Sequence, residues 1–297
     1  MPLQRVSQVW RDTARRLRAA GLHFGQGTED AEQEAAWMLL HCLGWDVPEG
    51  FAQWPRLQRR VVPAPARERL AQLLRQRVRT HRPLAYLLGE AWLQGQRFLA
   101  DERAIVPRSL IAELLGQGLQ RWLAQPPRRI ADVCTGGASL AILAAQRWPQ
   151  AQVAAGDISR PALELARRNV ELHALGGRVR LLHSDLLAGF DAGERFDLVL
   201  CNPPYVSARS MAALPPEFRH EPRLALAGGA DGMDLVRRLL RQAAGHLQPH
   251  GVLVLEIGHE RRHFEAAFGA LPVHWLAVSS GDDAVLAIEA SALAAAR

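Results

Sequence analysis

Apolar runs and amphipathic stretches alternate along the chain from residue 130 onward. RIADVC, QVAAGD, RVRLLHSD, RFDLVLCN and GVLVLEIG have the pattern of buried strands, and most are followed by an amphipathic helix. Strands and helices in this order form a parallel sheet covered by helices on both faces. Two last strands, near 273–278 and 284–289, are close enough in sequence to pair antiparallel. The predicted fold class is therefore α/β, a doubly wound sheet of seven strands.

The part of the chain before this pattern divides in two. SQVWRDTARRLRAAG, TEDAEQEAAWMLLHCLG and PARERLAQLLRQRVR have the spacing of amphipathic helices, and a threonine, Thr28, is predicted to cap the second. LAYLLGEAWLQGQRFLADERAIVPRS contains short apolar runs around a Gly-Gln tip and predicts a hairpin, and SLIAELLGQGLQRWL then predicts a helix. We expect a helical domain over 1–85, a hairpin linker over 86–108 and the α/β domain over 109–297.

The sequence shows none of the apolar stretches that membrane proteins need. No run approaches the ~20 apolar residues of a membrane span. The first 21 residues are expected to form an amphipathic helix, not a secretion signal. Cys42, Cys134 and Cys201 have neither disulfide nor metal-site spacing. We therefore expect reduced thiols, no membrane partner and a cytoplasmic location.

Positive charge is concentrated in the first third of the chain. All 36 basic residues are arginine, and residues 1–90 carry 14 of them against nine acids. Within 56–82, nine arginines accompany a single glutamate. Such a stretch is either a solvated helix face or a surface that meets nucleic acid or a nucleoprotein. The sequence leaves both interpretations open.

Three acidic residues follow successive strands of the predicted sheet. The first strand runs through Asp132 into a turn with Gly136 and Gly137 that opens a helix, where backbone can approach a ligand closely. Asp157 ends the next strand, about twenty residues on, where a carboxylate can accept the hydroxyl groups of a ribose. Asp185 ends the third and could accept from an adenine amino group. The series predicts a site for an adenosine-containing cofactor.

The glycine turn helps to choose between two such cofactors. A dinucleotide-binding site has the pattern G-x-G-x-x-G, whereas this turn has Ala138 and no later glycine. Asp132 could instead receive the charged amino group of a methionine. The residues therefore favour S-adenosylmethionine over a nicotinamide cofactor, without excluding a dehydrogenase.

The fourth strand ends on Asn202-Pro203-Pro204-Tyr205. Proline cannot donate to a sheet ladder, and the residue before a proline is held extended. The segment is therefore stiff, and it offers acceptor oxygens but few donors. It suits a substrate that brings N–H groups, although an ordinary exit from a strand would also account for it.

Taken together, DVCTGGAS, GDIS, SDL and NPPYV resemble the class I S-adenosylmethionine-dependent methyltransferases. One departure is Ala138, where the family turn usually has a second glycine. The resemblance implies S-adenosylmethionine as cofactor and no metal. It also implies the following cofactor-binding residues: Asp132, Thr135, Gly136, Gly137, Asp157, Ile158, Asp185, Leu186 and Asn202.

A narrower resemblance covers nearly the whole chain. CNPPY is similar to the motif of enzymes that methylate planar nitrogens, and RPLAYLLGEAWLQGQRFLADERAIVPRS resembles the hairpin linker of the protein glutamine methyltransferases. HFGQGTEDAEQEA and LPPEFRHEPRLALAGGADGMDLVRRLL resemble the branch of that family that acts on a glutamine of ribosomal protein three of the large subunit. This resemblance implies that protein as the partner, free or within an assembly intermediate with RNA nearby.

The same resemblance gives roles to the four-residue motif. Asn202 Oδ1 and the Pro203 carbonyl would each accept one N–H of the substrate amide, with Pro204 beside them, and Tyr205 would pack against the glutamine side chain. A release-factor glutamine methyltransferase and a nucleic-acid amino-group methyltransferase remain alternatives, as does a non-catalytic ribosome-assembly factor.

Two other patterns are expected to be structural. HERRH at 259–263 matches the H-E-x-x-H of zinc proteases, but its two arginines would place cations beside the metal. Cys134 and Cys201 should end neighbouring strands, and small buried core residues are favoured there over a redox pair.

Overall fold

The computed structural model describes residues 4–295, apart from the side chain of Gln117. The ends of the predicted first and last domains, 1–3 and 296–297, lie outside the described residues. The chain forms two compact units. One contains Met1–Arg97 together with Pro215–His220, and the other contains Phe98–Leu214 and Glu221–Arg297. The hairpin expected over 86–108 is divided between them.

The first unit is helical. Its helices are α1 (Val6–Ala19), α2 (Ala31–Leu43), α3 (Val47–Ala52), α4 (Trp54–Leu57), α5 (Ala64–Thr80) and α6 (Leu84–Leu88). The long helix α2 packs against both α1 and α5. Most of its side chains are buried, Trp37 and Met38 among them, so α2 forms the centre of this unit.

The start of α2 corrects one prediction. The capping residue is Asp30, whose side chain accepts a hydrogen bond from Gln33 N at 2.8 Å. Thr28 is not the cap, because its hydroxyl donates instead to Glu34 Oε2 at 3.4 Å. Asp30 directly precedes the first helical residue, where a short acceptor side chain reaches the free N–H groups.

A two-stranded hairpin follows, formed by β1 (Glu90–Leu93) and β2 (Gln96–Leu99). Its tip is Gln94-Gly95, one residue earlier than the predicted Gly-Gln pair. Both tip residues have positive φ, 50° and 73°. Two-residue turns of type I′ need positive φ at both positions, which explains where the glycine lies.

The helix predicted after the hairpin is shorter than expected. It spans only α7 (Ile111–Gln117), and a short 3₁₀ turn, Gln120–Trp122, replaces its predicted second half. Gly116 and Gly118 lie at the break. Glycine is about 1 kcal/mol less favourable than alanine in a helix, and two of them end it here.

The second unit is built on a seven-stranded sheet, so the predicted fold class is confirmed. Its strands are β3 (Arg129–Val133), β4 (Gln152–Asp157), β5 (Val179–His183), β6 (Phe196–Cys201), β7 (Leu247–Glu256), β8 (His274–Val278) and β9 (Gly281–Glu289). The other helices are α8 (Ser139–Arg147), α9 (Arg160–Leu172), α10 (Ala208–Ala212), α11 (Asp234–Ala243), α12 (Arg261–Phe268) and α13 (Ala290–Ala295).

The order of the strands fixes the place of a ligand site. It is β5-β4-β3-β6-β7-β9-β8, in which β3 to β7 run parallel and β9 is antiparallel to both β7 and β8. The antiparallel last pair confirms the prediction. The chain proceeds outward from β3 to β5 and then returns to β6 on the other side of β3. Ligands of open α/β sheets bind at the carboxyl ends of the strands at such a reversal.

A long connection joins β6 to α11. It contains the short helix α10 and two 3₁₀ turns, Pro216–His220 and Arg223–Ala225. Within residues 4–295, no helix has the length and apolar character needed to cross a membrane.

Candidate active site

A cavity opens beyond the carboxyl ends of β3, β4, β5 and β6. Seven of the sequence-predicted site residues line it: Gly136, Asp157, Ile158, Asp185, Leu186, Asn202 and Pro204. A smaller cavity beside it is lined by Asp132, Thr135, Gly136, Gly137 and Asn202, among others. The two cavities share Ile105, Cys134, Gly136 and Asn202. The α/β unit therefore brings together almost all of the predicted residues.

Asp132 lies on β3 and is almost fully buried. Its Oδ2 atom accepts hydrogen bonds from the Thr135 hydroxyl at 2.5 Å and from Ala141 N at 3.0 Å. Burial raises the pKa of this carboxyl to about 7, although both bonds favour the ionised form. Neither bond involves Oδ1. A cation that reached this oxygen would stabilise the carboxylate.

The turn after β3 is held by the next strand. Asp157, at the end of β4, accepts Gly136 N on Oδ2 and Ser159 N on Oδ1, both at 2.8 Å. A carboxylate offers about four acceptor positions, so these bonds do not use all of them. Burial raises the pKa of Asp157, and the backbone bonds oppose that shift. The carboxylate thus supports the turn and still lines the main cavity.

Three non-glycine residues around the cavities have left-handed backbone: Cys134, Ala138 and Leu186, with φ of 59°, 64° and 54°. Such conformations cost about 1 kcal/mol and cluster at functional sites. At Ala138 the positive φ explains the glycine usual at this position of the resembling family. Alanine is accommodated there, fully buried, at the start of α8.

The far side of the main cavity has both apolar and charged groups. Ile158 is 47% exposed although it lines the cavity, so it presents an apolar surface to a ligand. Asp185 Oδ2 lies 2.5 Å from Arg238 Nη2, and both residues line the cavity. One oxygen of Asp185 is therefore engaged by an arginine that the sequence did not indicate.

The segment 202–205, which we call the acceptor wall, contributes Asn202 and Pro204 to the lining of the site. Asn202 lines both cavities and Pro204 lines the larger one. Pro203 is buried and lines neither cavity. The strand thus ends in a stiff turn with the Asn202 side chain at the junction of the two cavities.

Tyr205 is closely surrounded. A Cβ added to Gly258 would lie 2.6–3.0 Å from its ring, and one added to Gly228 or Gly232 would lie 2.2–2.7 Å from its backbone. Its hydroxyl interacts with the buried carboxylate of Glu256, and burial and this carboxylate raise the Tyr205 pKa. Gly258 and Glu256 therefore hold the ring, and Gly228 and Gly232 leave room for the Tyr205 backbone. The structure places Tyr205 in neither cavity lining.

Several residues that shape the site had no signal in the sequence. Arg108 lines the smaller cavity and is held by Glu221, which lies 113 residues later in the chain. Glu256 accepts the Ser109 hydroxyl at 2.6 Å and Leu110 N at 2.9 Å. These contacts join residues distant in sequence, so local spacing could not reveal them.

The HERRH segment and the pair Cys134 and Cys201 were both expected to be structural. His259 precedes α12, and His263 Nδ1 lies 2.5 Å from Glu260 Oε2. Among residues 4–295, no three histidine, cysteine or acidic side chains are grouped so that they could hold a metal. Cys134 follows β3 and Cys201 ends the adjacent strand β6, and both thiols are free. Cys201 is buried as expected, but the expectation of a buried core residue is wrong for Cys134, which is half-buried and lines both cavities. Burial raises the pKa of Cys201 well above its usual value, as expected of an unreactive core thiol.

Known proteins resemble this chain over nearly its whole length. Family models match residues 112–218, as a methyltransferase small domain, and residues 8–89, as a PrmC N-terminal domain. A ribosomal protein uL3 glutamine methyltransferase of Bordetella pertussis is 50% identical, over 96% of this chain and 94% of its own length. Proteins of the same name from Burkholderia pseudomallei and Neisseria meningitidis serogroup B are 45% and 44% identical, over 99% and 94% of this chain and 97% and 91% of theirs. The chain therefore belongs to the family of ribosomal protein uL3 glutamine methyltransferases.

Proposed function

We propose that this protein transfers the methyl group of S-adenosylmethionine to the side-chain amide nitrogen of a glutamine in ribosomal protein uL3. The observation that carries the proposal is the 50% identity to a relative with this activity in its name, over nearly the full length of both chains. The placement of Asn202 at the junction of two cavities supports it, because the substrate amide needs acceptors beside the cofactor.

The residues of the site fit this cofactor. Asp132 is a buried carboxyl group whose two hydrogen bonds leave Oδ1 unused, and the ammonium group of a methionine would stabilise its ionised form. Asp157 keeps acceptor capacity for ribose hydroxyls, and exposed Ile158 offers an apolar surface to a base. When bound, S-adenosylmethionine supplies an electrophilic methyl group on a sulfonium.

The protein's own part of the reaction is alignment. An amide nitrogen is a poor nucleophile because its lone pair is delocalised into the carbonyl. Asn202 Oδ1 and the Pro203 carbonyl accept one N–H each, which fixes the plane of the NH₂ group and aims its nitrogen at the methyl carbon. Positive charge grows on the nitrogen during transfer, so both hydrogen bonds strengthen in the transition state.

This scheme needs no strong general base. The methylated nitrogen is acidic once it carries positive charge, and its extra proton can pass to water. No histidine lines either of the two cavities in the described part of the chain. The acceptor wall then promotes methyl transfer by orienting the substrate amide and by accepting its hydrogen bonds.

We assign recognition of the protein substrate to the helical unit. Residues 1–90 carry most of the protein's excess positive charge, whereas the cavities lie in the α/β unit. An arginine-rich surface suits a target that is still associated with RNA. We therefore include in the proposal a cytoplasmic assembly intermediate as the substrate, with RNA beside the helical unit.

Labelled methyl transfer tests the proposal. The protein is incubated with methyl-labelled S-adenosylmethionine and with undermethylated large-subunit particles, free uL3 or release factor, and the label is located by mass spectrometry. We expect label on a glutamine of uL3. Label in RNA would indicate the nucleic-acid alternative, label in release factor the sister activity, and no label an assembly factor without catalysis.

A further inference from the structure

The segment 207–226 leaves the acceptor wall and is mostly exposed or half-buried. Four of its side chains are buried: Ser207, Glu217, Glu221 and Leu226. Two of these are glutamates, which are rarely buried without a partner. Their partners therefore reveal what holds the segment in its path.

Glu217 belongs with Pro215–His220 to the helical unit, and it is 1% exposed. Its Oε1 atom accepts His23 N at 3.1 Å and lies 2.9 Å from His81 Nδ1. The same oxygen is 3.5 Å from Arg77 Nη1. Burial raises the pKa of Glu217, but these bonds outweigh it and hold the pKa below its usual value. The carboxylate is therefore ionised at neutral pH.

Arg77 is itself buried, at 1% exposure, and two carboxylates share it. Glu34 receives the shorter bonds, at 2.9 and 3.4 Å. Glu217 Oε2 is buried and has no hydrogen-bond partner. Buried ion pairs contribute little to stability compared with apolar side chains of similar volume. A role for Glu217 in holding residues 215–220 in position therefore explains this buried carboxylate better than a contribution to stability does.

A second glutamate, four residues later, is held in the α/β unit. Glu221 accepts Arg108 Nη2 at 2.8 Å and Val106 N at 2.9 Å. Immediately after it, Pro222 and Leu224 line the main cavity, and Leu224 is 59% exposed. The segment thus contributes an exposed apolar side chain to the cavity that the acceptor wall also lines.

We propose that Glu217 is a positioning residue for the protein substrate. By binding the buried Arg77, it fixes the middle of segment 207–226, so that the target polypeptide meets a preformed surface on this segment. A preformed surface avoids the ordering cost of a loose loop on binding. The inference rests on the proposed function for its substrate, but the anchor itself can be tested without one.

The test compares two isosteric variants of the full-length protein. Glu217→Gln and Glu34→Gln each remove one carboxylate charge from Arg77, but only the first lies on the segment. For Glu217→Gln we expect the KM for uL3 to rise at least tenfold, with the affinity for S-adenosylmethionine within twofold. Amide hydrogen exchange in 207–226 should become faster. For Glu34→Gln we expect less than a threefold change in KM and unchanged exchange in the segment.

Equal rises in KM for the two variants would overturn the proposal, because loss of helical stability would then explain both. Unchanged exchange in Glu217→Gln would overturn it as well. Glu217→Asp keeps the charge on a side chain that is one methylene shorter, so its KM should lie between those of the parent and Glu217→Gln. This variant keeps the proposal testable if Glu217→Gln folds poorly. If the parent protein does not methylate uL3, the proposed function fails, and the exchange comparison still decides the anchor.

Discussion

Asp132 and Thr135 are joined by a 2.5 Å hydrogen bond from the threonine hydroxyl to Oδ2, in the first turn after β3. The second bond to Asp132, from Ala141 N, ends on the same oxygen. The other oxygen is left to a ligand at the smaller cavity. The turn after β3 therefore orients a buried carboxylate before any cofactor binds.

This arrangement predicts a pH dependence of cofactor affinity. Burial raises the pKa of Asp132 to about 7, and a bound ammonium requires the ionised form, so protonation competes with binding. As the pH falls through 7 toward 5.5, we expect affinity for S-adenosylmethionine to decrease, by up to about tenfold per unit for one proton. Calorimetry measures this, and Asp132→Asn should flatten the profile. A flat profile for the parent would show that this carboxylate does not contact the amino group.

Asp157 should contribute to cofactor affinity through the ribose. Asp157→Ala removes the remaining acceptor positions and the support of Gly136, so we expect a loss of about 2 kcal/mol or more in binding free energy. Asp191→Ala, an exposed acid of the same unit, serves as the control and should bind normally. Unchanged affinity in folded Asp157→Ala would discard the assignment.

The ring of Tyr205 should matter for turnover. Gly258→Ala would place a methyl group 2.6–3.0 Å from the Tyr205 side chain and would displace it. Gly258 itself has φ of +53°. We expect at least a tenfold loss in kcat on uL3 with cofactor affinity retained. Gly21→Ala is the matched control, because Gly21 also has positive φ, +64°, and open space around the added methyl group. If the two variants methylate uL3 equally well, the position of Tyr205 is unimportant for the reaction.

The exposed arginines of α5 test the proposed RNA neighbour. Arg75 and Arg79 are exposed and lie on one face of the helix with Gln72 and Gln76. Arg75→Glu/Arg79→Glu should slow methylation of RNA-containing particles, most strongly at low salt, and leave free uL3 unaffected. Arg262→Glu, on an exposed site of the α/β unit, is the control. Equal effects on particle and free protein would place this face against uL3 and not against RNA.

Sequence and structure agree most closely where the signal is periodic. The strand ends at Asp132 and Asp157 follow from apolar runs of strand length, and the fold class, the family and its S-adenosylmethionine cofactor are confirmed. The roles of the individual site residues remain predictions.

What the sequence missed depends on distant pairing or on local competition. Arg77 and Glu217 are 140 residues apart, so no spacing rule could connect them. Asp30 displaced Thr28 as a cap because both are suitable acceptors and only position decides. The left-handed backbone of Ala138 is seen only in the structure, because alanine, unlike glycine, does not indicate a positive φ.

Asn202 is the residue on which the proposed mechanism depends most. Its side chain lies at the junction of the two cavities, where the strand ends. Asn202→Asp is an informative companion to Asn202→Ala because it keeps the shape and an acceptor oxygen. We expect the aspartate variant to retain more activity than the alanine variant, with an altered dependence on pH.

The most direct test is single-turnover methyl transfer to uL3 by Asn202→Ala, saturated with S-adenosylmethionine. Loss of alignment should slow the transfer by two or more orders of magnitude, about 3 kcal/mol, while calorimetry finds cofactor affinity close to that of the parent. A normal transfer rate in both Asn202→Ala and Asn202→Asp would contradict the mechanism, and Asn-Pro-Pro-Tyr would then be only the exit of a strand.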